Sequence, residues 1–129
     1  MDSWRAWARV GHRLGERATW LIGRPTDYLI WPADEEHYVQ WHGEADDAFY
    51  AEAASGRYDD TTLLPDQIAR LRALGWVPPG EGAGGVGVLN WSRWWDAPVP
   101  IYDVVLLTVR TLAEVSSARP EDILEGIGP

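Results

Sequence analysis

The stretch Trp91-Ser92-Arg93-Trp94-Trp95 is the densest group of side chains in this sequence able to grip another molecule. Exposed, such rings hold the apolar side chains of a peptide or stack on sugar faces. Buried, they cover a sheet or a long helix. Trp, Tyr and Arg dominate the energetics of protein interfaces. Trp41, Tyr50, Trp91, Trp94 and Trp95 are therefore the candidate partner contacts, with Arg93 as a charged anchor.

Other chemistries fit less well. Gly82-Ala83-Gly84-Gly85-Val86-Gly87 matches G-x-G-x-x-G literally. A dinucleotide site needs a strand before that motif and a helix after it. Here Pro78-Pro79 precedes it and Val88-Leu89-Asn90-Trp91 follows, so a loop is expected. The P-loop ending is missing as well, and the chain has no Lys to supply it. His12, His37 and His42 are the only histidines. On one strand His37 and His42 face opposite sides and cannot share a metal, although Asp34-Glu35-Glu36 lies nearby. Asp46-Asp47 and Asp59-Asp60 are adjacent carboxylates in turn-like sequence, whereas acid–base catalysis needs carboxylates held in unlike environments. Ser3, Ser55, Ser92, Ser116 and Ser117 sit in no nucleophile-elbow context. No catalytic, cofactor-binding or metal-binding residue is expected.

Composition narrows the classes further. The 129 residues are enough for one ordinary domain, taken as 1–129. Arg supplies all 11 basic residues against 20 acidic ones, for a net charge of -9. That balance argues against nucleic acid and against an anionic membrane surface. With no Cys there is no disulfide frame, thiol nucleophile or Cys-based metal site. Met1-Asp2-Ser3-Trp4-Arg5 lacks the apolar core of a signal peptide, and no apolar run reaches the ~18 residues of a membrane span. A cytoplasmic protein is expected. The 9 Trp suit a carbohydrate binder, a peptide binder or a small domain packed with large rings.

The elements that must position these residues follow from periodicity. Residues 3–17 read as a helix with Trp4, Trp7, Val10, Gly11 and Leu14 on one side and a cap at Asp2 or Ser3. Thr19-Trp20-Leu21-Ile22 and Tyr28-Leu29-Ile30-Trp31 are β-rich runs. Residues 37–42 and 48–53, joined by the polar Gly43-Glu44-Ala45-Asp46-Asp47, form an antiparallel hairpin. In it Tyr38, Gln40 and His42 share one face, and Val39 and Trp41 the other. Phe49, Ala51 and Ala53 oppose Tyr50 and Glu52. Rings on both sides leave the core face open. Residues 65–74 form a second helix, started by Pro65, lined by Ile68, Leu71 and Leu74, and ended by Gly75 with Trp76 folding back on Leu71. A strand is expected around Val88-Leu89-Asn90-Trp91 and a turn at Pro98-Val99-Pro100. The longest helix spans 101–117, with Ile101, Val104, Val105, Thr108, Leu112 and Val115 on one face and Leu106, Leu107 and Val109 widening it. Pro120-Glu121-Asp122 opens a short last helix.

Several of these stretches resemble the YbjN-like chaperone group. They are residues 37–42, the partner run Tyr50-Ala51-Glu52-Ala53-Ala54-Ser55, Tyr58, Leu64-Pro65-Asp66-Gln67, Leu71, Leu74-Gly75-Trp76, Pro78-Pro79, Asn90-Trp91 and Thr111-Leu112. The branch they resemble is the actinobacterial one of type III secretion chaperone-like and YbjN-like (TY-Chap) peptide-binding chaperones, and the likeness covers about residues 28–124. It implies a single small α/β (α+β) domain, with a curved antiparallel sheet carrying helices on one side, often as a homodimer. It also implies a non-enzymatic role with a peptide or protein client. Leu64 stands where a capping Ser or Thr is expected.

Two further classes stay open on sequence grounds. One is a small enzyme or small-ligand protein using an aromatic cleft with His37 or His42. The other is an acidic immunity or decoy protein for a basic partner.

Overall fold

A computed structural model describes residues 3–34, 36–54, 63–80 and 90–128. The side chains of Asp2 and Ser3, residue Glu35, Ser55, Tyr58, Asp59-Asp60, the Gly82–Gly87 motif and Val88-Leu89 lie outside the described residues.

The elements run α1 (Ser3–Leu21), β1 (Tyr28–Pro32), β2 (Tyr38–Gly43), β3 (Phe49–Ala53), α2 (Pro65–Leu74), β4 (Trp91–Trp95), α3 (Ile101–Arg110) and α4 (Pro120–Ile127). The sheet is fully antiparallel in the order β1-β2-β3-β4. The result is one small α+β domain whose helices cover one face of an open sheet.

Alternation decides which face that is. Val39 and Trp41 of β2, Phe49, Ala51 and Ala53 of β3, and Trp91 and Trp95 of β4 all point to the helices and are buried. Trp31 and Trp41, Trp41 and Phe49, and Phe49 and Trp95 meet edge-on at 5.2, 5.4 and 6.0 Å between centroids. Edge-to-face contact is the geometry the ring quadrupoles favour. The small Ala51 and Ala53 leave room for these rings. From the helix side, Val10, Leu14, Ala18, Leu21, Val104, Leu107, Leu112, Val115, Ile123 and Ile127 complete the core.

The helix-like start of the chain extends further than its periodicity suggested. Thr19-Trp20-Leu21-Ile22 is not a separate β-rich run, because α1 continues to Leu21. Its buried stripe is Ala6, Val10, Leu14, Ala18 and Leu21, and the burial of Ala18 and Leu21 outweighs local β preference. Trp4 lies off that stripe and is exposed. At the C-terminal end of α4, Arg13 and Arg17 of α1 donate to the carbonyls of Gly128 and Ile127, where cations suit the helix dipole.

Helix α2 ends as its sequence announces. Gly75 adopts φ 100° and donates to Arg72 O, and Trp76 N donates to Leu71 O at 3.1 Å, the paired bonds of a Schellman ending. Leu64 gives no side-chain cap. Instead Gln67 Oε1 accepts from Leu64 N at 2.7 Å, while its Nε2 donates to Val115 O at 2.8 Å. Ile68 is exposed, so Leu71 alone of the expected stripe is fully buried.

The long C-terminal helix is α-helical only to Arg110. Residues 111–115 form a π turn, with Ser116 N bonded to Thr111 O, and Ser117 then leaves with φ 53°. Val104, Leu107, Thr108, Thr111, Leu112 and Val115 are its buried residues, while Tyr102 and Leu106 stay exposed.

Candidate functional site

Among the described residues, the sheet face turned away from the helices carries a second aromatic array that crosses all four strands. Tyr28, His42, Tyr50 and Trp94 stand opposite one another in register on β1, β2, β3 and β4. Their ring centroids step 6.1, 5.9 and 6.1 Å from strand to strand. Cross-strand ring pairs of this kind stabilise a sheet by roughly 0.2–1 kcal/mol each. Their outer surfaces remain open, with Tyr28 58% and Trp94 40% exposed.

Polar groups fix the orientation of the inner rings. Tyr50 Oη donates to Glu52 Oε1 at 3.1 Å, and Asn90 Nδ2 reaches Glu52 Oε2 at 3.3 Å. Burial, followed by the neighbouring Glu52 charge, pushes the Tyr50 phenol up to about 12, so it stays a neutral donor. Trp94 Nε1 donates to Asp96 Oδ1 at 2.9 Å, pinning the ring at the end of the row.

The sequence-expected contacts divide by strand parity. Tyr50 and Trp94 lie on this face. Trp41, Trp91 and Trp95 do not: they point to the helices and are buried, with Trp41 at 0% exposure. As partner contacts these three are corrected to core residues, because alternate residues of a strand face opposite ways and Trp94 and Trp95 are neighbours. The described strand is Trp91–Trp95; of the run expected as a strand, Val88 and Leu89 lie outside the described residues and Trp91 is in it. Arg93 also turns to the helix side. It donates to Gly75 O at 2.9 Å and stacks on Trp95 at 5.6 Å. There it borders a groove of about 310 Å³ with Leu74, Trp95, Pro100, Asp103, Leu106 and Arg110.

Tyr28 and His42 were missed as members of the row. The signal lay in the parity of the hairpin, since Tyr38, Gln40 and His42 share a face with Tyr50 and Glu52. Pairing Tyr28 with His42 extends that face by one strand.

The alternative chemistry centres on histidine. His37 Nδ1 lies 2.9 Å from Asp34 Oδ2, and Asp34 Oδ1 accepts from the backbone N of Glu36 and His37. Burial works against the Asp34 charge, yet these N–H groups and the imidazole outweigh it and hold the carboxyl below its ordinary value. His42 faces the open side of the sheet, away from this turn. Among the described residues no group of three or more His, Asp or Glu could hold a metal.

The described helices thus cover one face of the sheet, and an ordered aromatic row lies on the other. A family model described as T3SS (YopN, CesT) and YbjN peptide-binding chaperone 3, TY-Chap3, matches residues 2–126, and the chain belongs to that family. No curated protein and no solved structure matches it. Among the described residues, no helix is long and apolar enough to cross a membrane.

Proposed function

We propose that this protein is a non-enzymatic, cytoplasmic peptide-binding chaperone that holds segments of a client protein on the open face of its sheet. The observation that carries the reading is the row Tyr28–His42–Tyr50–Trp94, ordered in register and open to solvent on its outer side. Tyr50 and Trp94 are the principal contacts. Trp41, Trp91 and Trp95 act from beneath by stiffening the sheet, and Arg93 holds β4 to the end of α2. The family's description as peptide-binding chaperones supports the same role. A homodimer belongs to the reading as well, and sedimentation velocity measures it.

A peptide array probed with the purified protein tests the face. Trp94→Ala and Tyr50→Ala should each lose most of the bound spots, while Leu106→Ala, on exposed helix surface, should keep them. Binding that follows Leu106 and ignores Trp94 would move the site to the helix side.

A further inference from the structure

We infer that the segment taken by this face is a basic, extended stretch of a client, with Lys or Arg at alternate positions; this rests on the peptide-binding reading above. Two observations carry it, one of charge and one of spacing.

The charge is one-sided. Glu52 lies on the outer face beside Tyr50, the Glu44 carboxylate acts on the same phenol, and Asp96 holds Trp94. Among the described residues no Lys or Arg balances them there. The chain has no Lys, and among the described residues no Arg occupies an outer position of the sheet. Arg93, the one Arg within the described strands, faces the helix side, opposite Ala51, and bonds to Gly75 O. Arg72 and Arg24 are engaged over the rings of Trp91 and Trp20. Ring faces carry negative potential and attract guanidinium or ammonium groups. Carboxylates at the rim add to that attraction and repel an acidic segment. A purely apolar segment would strip water from Glu52 and Asp96 without replacing it.

The spacing suits an extended chain. The rings follow one another at 5.9–6.1 Å. Side chains on one side of an extended chain recur about every 6.6 Å. A segment laid across the strands therefore sets alternate side chains over successive rings. Its cations can stack on Tyr28 and Trp94, the exposed ends of the row, and pair with Glu52 or Asp96.

Fluorescence anisotropy with labelled synthetic peptides tests this. The probes are an alternating Arg-Thr peptide, its Glu-Thr and Gln-Thr counterparts, and a peptide of the same composition with its Arg residues consecutive. The alternating Arg peptide should bind roughly tenfold or more tightly than the other three, and its affinity should fall as salt rises. Glu52→Gln should weaken it several-fold without changing the melting temperature, and Trp94→Ala should weaken it further. Equal binding of the Gln or Glu counterpart, still dependent on Trp94, would overturn the charge inference and leave the peptide-binding face standing. Equal binding of the consecutive-Arg peptide would overturn the alternating pattern. If no peptide depends on Trp94, both the inference and the reading beneath it fall.

Discussion

Trp41 Nε1 donates a hydrogen bond to Thr108 Oγ1 at 3.0 Å, tying the centre of the sheet to α3 inside the core. Thr108 in turn donates to Val104 O at 2.9 Å, so the hydroxyl is satisfied on both sides. One helical turn later the arrangement recurs: Trp76 Nε1 donates to Thr111 Oγ1 at 2.8 Å, and Thr111 donates to Leu107 O at 2.7 Å. Each threonine lets an indole be buried without leaving its N–H unpaired. Thr108→Val keeps the volume and removes the acceptor. It should cost about 1–3 kcal/mol, the penalty of an orphaned buried donor. Thr108→Ser keeps the hydroxyl and should cost less of that polar penalty. Urea denaturation of the two variants side by side makes the comparison.

Gly43 is required by close approach rather than by backbone angle. A Cβ at this position would lie 2.6 Å from Leu21 O and closer still to Arg24 O, both main-chain atoms. Gly43 N also donates to Asp27 O at 3.2 Å, so the segment after α1 is fastened across the end of β2. Gly43→Ala must push that segment away. A loss of about 1–3 kcal/mol is expected from the overpacking. Ala45→Gly, in the adjoining turn, should leave the melting temperature nearly unchanged.

What the sequence revealed depended on whether a signal was local. Helix α2 was legible because Pro65, Gly75 and Trp76 each act within a turn of their own position. The parity of the hairpin was legible for the same reason. Its core face was not, since rings on both sides make the two faces alike until Ala51 and Ala53 are seen to make room for Trp41 and Phe49. Residues 19–22 misled because β-preferring side chains at the end of α1 are held helical by Ala18 and Leu21, whose burial depends on distant elements. In β4 the cluster was found, but a one-residue uncertainty in strand phase exchanges Trp94 with Trp95. The threonine tethers were written only as two Thr three residues apart on an apolar helix face, a signal that gains meaning once the indoles are located.

Glu114 joins α2 to the end of α3. It accepts from Arg110 Nε at 2.6 Å and pairs with Arg70. The Arg110 hydrogen bond outweighs burial, and with the Arg110 and Arg70 charges holds the carboxyl below its ordinary value. A lowered folded-state value means that this stabilisation is present above the unfolded-state value, near 4.5, and is lost as pH falls through the folded one. Glu114→Gln should therefore destabilise at neutral pH and flatten the dependence of melting temperature on pH below about 4.5. A variant whose acid slope matches the parent would show that the ion pairs contribute nothing to folding.

Tyr50 gives a spectroscopic marker of the open face. Its phenol, pushed up to about 12 by burial and then by Glu52, should give a step in an ultraviolet titration well above the ordinary tyrosine value of 10.0. For a raised value the associated stability is fully present below the unfolded-state value of 10.0 and is lost as pH climbs toward 12. Tyr50→Phe should remove the late-titrating step. Glu52→Gln should move that step to lower pH, because one charge opposing ionisation is gone.

Trp94 and Trp95 are neighbours in the chain with opposite surroundings, and the pair separates binding from stability. Trp95 is buried against Phe49 at 6.0 Å and lies under Arg93. Trp94 is 40% exposed, its ring against Tyr50 at 6.1 Å and its indole N–H on Asp96. Trp95→Ala removes a packed core ring and should cost about 3–5 kcal/mol of stability, with any loss of binding following from unfolding. Trp94→Ala removes surface from the open face and should leave the melting temperature within a few degrees of the parent. Its cost should instead appear in peptide affinity, as about 2 kcal/mol or more for a true hot spot. Thermal melts and peptide titrations on the same two preparations give both quantities. Should Trp94→Ala unfold the protein as readily as Trp95→Ala does, the outer row is part of the core and the client surface must be sought on the helix side.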